Sequence, residues 1–230
     1  MKILKKLIAI GSLYSLFTAP SFAGFYLGAG IGPEGLHFNQ NAHVTRLGTF
    51  DVIDRNSFSG TGVFGTLIGG YGRTCNRWYA ALEGNANWSS VQYKLTNNEY
   101  VNRNFLKSTF TVKNSEGVSL LPGILLAENA LFYGRIGYAN GYVKIHDSDP
   151  TIKSQTKNTN GIRYGLGFRY QFNPKWTAMM DYSQINYQNL HSTVFEPFGG
   201  VLKKTTISPN TAQVAFALWY NFDRPQAYGK

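Results

Sequence analysis

The sequence predicts an all-β fold: an eight-stranded, antiparallel, up-and-down transmembrane β-barrel. Three observations predict it. First, residues 78–88 alternate strictly, with Trp78, Ala80, Leu82, Gly84, Ala86 and Trp88 on one face and Tyr79, Ala81, Glu83, Asn85 and Asn87 on the other. A period of two is that of a strand with one apolar and one polar face. Ten residues at about 3.3 Å each, tilted by about 45°, climb roughly 23 Å, the height of a lipid-facing band with an aromatic girdle at each edge. Second, the connections between such segments alternate between short and long. Third, the chain opens with an export leader.

The leader carries Lys2, Lys5 and Lys6, then an apolar stretch from Leu7 to Phe17 that is too short to cross a bilayer as a helix. Ser21 and Ala23 supply small residues at the −3 and −1 positions of a cleavage site. Residues 1–23 are therefore expected to be a signal peptide. Residues 24–222 form the barrel, and residues 223–230 a short periplasmic tail. The segment from Gly24 to Lys230 has 207 residues, the size of one domain. Mean hydropathy is slightly negative despite 15 Tyr, 16 Phe and 4 Trp. Strands that are half lipid-facing and half lumen-facing produce that balance. The alternative fold is a soluble periplasmic barrel with its aromatic faces turned inward. The spacing of Trp78 from Trp88, and of Phe132 from Tyr142, argues against it.

The strands follow in order. Phe25, Leu27, Ala29 and Ile31 face outward, opposite Tyr26, Gly28 and Gly30. The Gly-rich segment 60–72 places Val63, Leu67 and Tyr71 outward. The strand 78–88 is third. Segment 117–126 contains Pro122, which a central strand accommodates with a bulge. Phe132, Ile136, Tyr138 and Tyr142 form an outward face opposite Tyr133 and Arg135. In segment 161–172, Ile162, Tyr164, Leu166, Phe168, Tyr170 and Phe172 oppose Arg163, Gly165, Gly167, Arg169 and Gln171. Trp176, Ala178, Met180 and Tyr182 oppose Thr177, Met179, Asp181 and Ser183, and the alternation slips after Gln184. The last strand runs 211–222, with Ala212, Val214, Phe216, Leu218, Tyr220 and Phe222 outward.

The short connections lie near residues 73–77, 128–130 and 173–175. The long polar ones cover roughly 39–58, 95–107, 146–160 and 190–207. Periplasmic turns and extracellular loops differ in this way. The one cysteine, Cys75, falls in the first short connection and is read as an ordinary turn residue.

The chain resembles the small eight-stranded outer-membrane barrels of the opacity-protein, OmpA-like and OmpX-like type. The residues that carry the resemblance are Gly24-Phe-Tyr-Leu-Gly-Ala-Gly30, Leu121-Pro-Gly123, Phe132-Tyr-Gly-Arg-Ile-Gly-Tyr138, Tyr164-Gly-Leu-Gly-Phe168 and the last strand. The apolar alternation ending at Phe222 resembles the signal read by the barrel-assembly machinery, although here eight residues follow it. The resemblance implies an integral outer-membrane protein of a Gram-negative bacterium. It covers adhesins, surface-protection proteins, haem-binding proteins and proteins of unknown role alike, and a structural or adhesive role through four long surface loops is expected, with a lipid A enzyme, a haem- or metal-binding surface protein or a narrow pore as the alternatives.

Five charged residues are expected to face the lumen: Glu83, Arg135, Arg163, Arg169 and Asp181. Eight strands enclose just enough room for side chains, and buried charges must pair. A salt-bridged plug is favoured over a narrow pore. Trp78, Trp88, Phe132, Tyr142, Trp176, Tyr220 and Phe222 are assigned to the membrane interfaces. His37, His43, His146 and His191 fall in or beside long loops without a tight ligand pattern, so no metal or haem site and no cofactor is assigned. His191 and Ser192 resemble rim residues of barrel enzymes acting on lipid A. Neighbours on a strand point to opposite faces, so no catalytic residue and no enzymatic activity is expected. Net charge is +10, falling to +7 without the three leader lysines. Lys94, Arg103, Lys107, Lys153, Lys157, Lys203 and Lys204 lie near the long loops and suit lipopolysaccharide phosphates or anionic glycans. No nucleic-acid recognition motif is present. Expected partners are outer-membrane lipids and lipopolysaccharide, the barrel-assembly machinery, and a surface ligand met through the loops.

Overall fold

A computed structural model describes residues 22–96, 107–147, 155–196 and 199–222. The leader up to residue 21, the tail 223–230, Arg103 and Lys153 lie outside the described residues.

The described residues form ten strands in one antiparallel sheet: β1 (Gly24–Arg46), β2 (Phe50–Cys75), β3 (Trp78–Ser89), β4 (Gln92–Thr96), β5 (Lys107–Ala127), β6 (Ala130–Asp147), β7 (Gln155–Asn173), β8 (Trp176–Tyr187), β9 (Leu190–Glu196) and β10 (Val201–Asn221). Eight of them close a ring in the order β1, β2, β3, β5, β6, β7, β8, β10, and β10 returns to β1 from Tyr26 opposite Asn221 to Arg46 opposite Val201. Closure pairs both edges of each strand within the ring, which lipid demands because it offers no hydrogen-bond partners. The short strands β4 and β9 prolong β3 and β8 beyond the ring.

One end of the barrel carries two-residue turns. Cys75 pairs with Trp78 around Asn76 and Arg77, and Asn76 takes a positive φ of 55°. Ala127 pairs with Ala130 around Glu128 and Asn129. Asn173 pairs with Trp176, and its Oδ1 accepts hydrogen bonds at 2.9 Å from the backbone N–H groups of Lys175 and Trp176. That side-chain bond lets asparagine hold a tight turn.

At the other end the strands continue farther than the lipid-facing alternation suggests. Residues 39–58, expected as a loop, form a paired hairpin of β1 and β2 closed by Leu47, Gly48 and Thr49. Likewise β6 pairs with β7 out to Ile145 and Gln155, and β9 pairs with β10 across the last expected loop. Nor does the alternation slip after Gln184: β8 keeps it through Ile185 and Tyr187, which point inward and are buried. The cause is a change of solvent. Beyond the membrane the outside is water, so apolar residues turn to the inside.

Pro122 causes no bulge. It stands opposite Ala80 in the β3 ladder, and the β6 ladder omits Leu121 and Pro122 but resumes in the same register at Gly123. A missing N–H costs one rung without shifting the strand. The bulges of β5 lie instead between Val112 and Ser115 and between Leu125 and Ala127.

Where the ring ends, the sheet divides. The β2–β3 ladder stops at Phe64 opposite Ser89, and Ser90 caps the break by accepting from Val63 N–H and donating to its carbonyl. The β7–β8 ladder stops at Gly161 opposite Tyr187. Beyond these points the described strands form two four-stranded sheets, β2-β1-β10-β9 and β4-β5-β6-β7. They close over an apolar cluster that includes Leu36, Phe38, Val112, Val143, Ile185 and Ile207.

Candidate functional site

The lumen is arranged in layers. Nearest the two-residue turns is an aromatic layer containing Tyr26, Tyr79, Tyr133 and Trp219, all buried. Glycines make room for it: a Cβ on Gly167 would stand 2.2 Å from the Tyr133 ring, and one on Gly72 would stand 2.5 Å from the Tyr79 hydroxyl. The Arg169 guanidinium sits among these rings, 3.9 Å from the Trp219 centroid and 4.5 Å from that of Tyr133. Ring faces attract a cation, the more so away from water.

Arg169 also begins the charged layer. It donates to the Tyr79 hydroxyl and to Glu83 Oε2, both at 2.7 Å, and Tyr26 donates to the same carboxylate oxygen at 2.9 Å. The other oxygen of Glu83 accepts from Arg135 at 2.7 Å. Arg135 reaches on to Asp181 Oδ2 at 3.1 Å through Nε, and Tyr133 donates to that oxygen at 2.7 Å. One connected network therefore spans β1, β3, β6, β7 and β8. All these hydrogen bonds involve a charged partner and are the stronger for it.

Arg163 is different. It is buried but has no carboxylate partner among the described residues; Nε and one terminal nitrogen donate to Ser183 Oγ at 3.1 and 2.9 Å. The same terminal nitrogen meets Gln213 Oε1 at 3.4 Å, and Gln213 Nε2 donates to Glu34 Oε1 at 2.8 Å. Glu34 accepts from Ser89 as well. The glutamine thus joins a guanidinium to a carboxylate that it does not touch. Glu34 is a lumen residue that sequence reasoning missed. Continuing the inward series Tyr26, Gly28, Gly30 past Pro33 would have found it. With Glu34 included, the buried charges among the described residues are three acidic and three basic: Glu34, Glu83 and Asp181 against Arg135, Arg163 and Arg169.

The outer surface is apolar. Trp78 (70% exposed), Trp88, Phe132, Tyr142, Trp176 and Phe222 stand outward, and Tyr220 is half-buried between Trp176 and Phe222 at ring-centroid distances of 5.5 and 5.3 Å. Trp78, Phe132, Trp176, Tyr220 and Phe222 collect at the turn end, while Trp88 and Tyr142 lie toward the hairpin end.

The histidines are dispersed. His37 exchanges hydrogen bonds with Ser59, Asn39 and Ser57. His43 lies 2.5 Å from Asp51, and His191 lies 3.1 Å from Thr206. The side chain of His146 is outside the description, as are those of Lys94 and Lys107. Among the described residues no three potential ligands gather for a metal ion. His191 and Ser192 are successive residues of β9, opposite Thr206 and Thr205, and do not face each other. Lys157, Lys203 and Lys204 sit on β7 and β10 near the hairpin end, and Cys75 is exposed at the turn end.

One solved structure shares this fold. The chain is similar to the outer membrane protein OprG from Pseudomonas aeruginosa at 13% identity, covering 86% of this chain and 97% of that one with a TM-score of 0.53. It is also similar to Neisserial surface protein A at 11% identity (87% and 98% covered, TM-score 0.46). The attachment invasion locus protein Ail of Yersinia pestis matches at 16% identity (83% and 99% covered, TM-score 0.35). At these identities the likeness concerns the fold alone. No curated protein matches the chain. A family model for the outer membrane protein beta-barrel domain matches residues 8–222, nearly the whole length. The chain therefore belongs to the outer membrane protein β-barrel family and resides in the outer membrane.

Proposed function

We propose that this protein is a non-conducting, non-catalytic barrel that displays β-built projections at the cell surface for attachment to other surfaces. A signal peptide, residues 1–23, delivers it, and the barrel-assembly machinery inserts it by its last strand. The observation that carries the reading is the filled lumen. Aromatic, charged and apolar layers succeed one another along the axis, and the six buried charges among the described residues balance. A solute crossing it would have to break the Arg135 and Arg169 ion pairs with Glu83 in a water-poor interior, which costs several kcal/mol. What remains available to partners is the hairpin end, where Leu47, Val52, Ile53 and Phe195 are exposed. Lys157, Lys203 and Lys204 there also suit lipopolysaccharide phosphates in the surrounding leaflet.

Two measurements test the reading. The full chain in planar bilayers is expected to give no stable unitary current, and reproducible steps would overturn the filled lumen. Replacing residues 41–55 by a two-residue Asn-Gly turn between the paired Gln40 and Asn56 should leave the barrel folded, read as a faster gel band without boiling. Cells carrying it should lose attachment to one another and to test surfaces. Unchanged attachment would remove the hairpin from the function.

A further inference from the structure

From residue 50 to residue 57, β2 pairs only with β1 among the described residues, and all eight residues are exposed. Among the described residues, one edge of the strand thus has no strand neighbour for its backbone N–H and C=O groups. Natural edge strands usually discourage further pairing with charged side chains, lysine above all, with proline or with a bulge. This segment has no lysine and no proline, its ladder with β1 runs without a register shift, and its three charges, Asp51, Asp54 and Arg55, are of both signs. Val52 and Ile53 add exposed β-branched side chains, 51% and 62% accessible, on its two faces.

The odd-numbered face reads Asp51, Ile53, Arg55, and it is self-complementary. If a second copy lies antiparallel with Ile53 opposite Ile53, each Asp51 stands opposite the other copy's Arg55. Facing pairs of unlike charge and of β-branched residues stabilise neighbouring strands, while like charges opposed destabilise them. His43 Nε2 occupies Asp51 Oδ1 at 2.5 Å, which leaves Oδ2 for a guanidinium. We propose that this edge is a homotypic docking site, in which two copies of the chain join antiparallel through residues 50–56.

Antiparallel pairing sets where the second copy is anchored. β2 runs from the hairpin tip toward the barrel, so an antiparallel neighbour runs away from it, with its own barrel on the far side. Two copies in one membrane would bring these edges together parallel. The contact therefore bridges two facing membranes. Reach permits it: Arg46 lies fifteen residues beyond Ile31, which is level with Trp88 through Gly65. At about 3.3 Å per residue and about 45° tilt, that places the tip roughly 35 Å above the girdle. The proposal rests on the reading that the hairpins point out of the cell.

The test uses the full chain in two vesicle populations of outer-membrane-like lipid carrying donor and acceptor dyes. Energy transfer on mixing reports clustering. The unsubstituted protein should cluster. Asp51→Arg alone and Arg55→Asp alone should each cut clustering roughly tenfold, because like charges then oppose at both positions. Mixing Asp51→Arg vesicles with Arg55→Asp vesicles should restore it, since unlike charges oppose again. Both sites are exposed, and unchanged mobility of the unboiled gel band verifies folding. No clustering of the unsubstituted protein, clustering indifferent to either substitution, or no rescue on mixing would overturn the proposal. Orientation is checked separately by a membrane-impermeant maleimide on intact cells carrying Leu47→Cys with Cys75→Ser. Labelling without clustering refutes only the docking site, whereas absence of labelling refutes the outward hairpin itself.

Discussion

Arg169 concentrates the physical problem of a barrel lumen in one side chain. Its charge is fully buried, so its stability depends on what replaces water. Four rings, the Tyr79 hydroxyl and Glu83 do so together. Replacing it with methionine keeps the volume but leaves Glu83 with Arg135 and Tyr26 alone. Breaking one side of a buried pair costs about 3–5 kcal/mol. The Arg169→Met barrel should therefore unfold at clearly lower denaturant in lipid vesicles, followed by tryptophan fluorescence. Arg169→Lys should recover only part of the loss, because an ammonium cannot match the planar fork that meets Tyr79 and Glu83 at once. A midpoint unchanged by Arg169→Met would show that the rings, not the charge, hold this layer. The alternation of β7 is enough to turn Arg169 inward on paper, but its partner Glu83 lies 86 residues away. Only closure of the ring brings the two together.

At the scale of the element, a strand that outruns the ring keeps its two-residue period, apart from the bulges of β5, and changes its solvent midway. Leu67 and Tyr71 of β2 face outward toward lipid, whereas Leu36 and Phe38 of β1 face inward above the ring. An apolar-outward rule therefore ends the strands too early, as it did for residues 39–58 and after Gln184. The turns were easier to read because their chemistry is local. Asn76 holds a left-handed φ of 55°, where asparagine is tolerated and a β-branched residue is strained. Asn76→Gly should leave stability nearly unchanged, and Asn76→Val should cost about 1–2 kcal/mol by the same unfolding assay. Equal behaviour of the two would mean that the hairpin closes by another backbone route.

Over the whole molecule, surrounding medium rather than exposure sets what a substitution does. Leu82 is 55% exposed and Leu47 fully exposed, yet the first lies within the aromatic-bounded band and the second at the hairpin tip. Arginine at a lipid-facing position near the midplane costs about 2–4 kcal/mol. Leu82→Arg should destabilise the refolded barrel by that order, while Leu47→Arg should change it by less than about 0.5 kcal/mol. Equal effects would displace the membrane band from the Trp78–Trp88 span. By itself the sequence determined the fold class, the strand faces that meet lipid, the inward direction of five charges and the positions of the tight turns. Each of these follows from a two-residue period or a turn residue, and both are local. The tertiary structure decided the rest: that Arg163 reaches Glu34 only through Gln213, that glycines clear space for rings around Arg169, and that the sheet divides beyond Ser90. Those contacts join residues up to 179 positions apart, and they exist only once eight strands have closed in a single register.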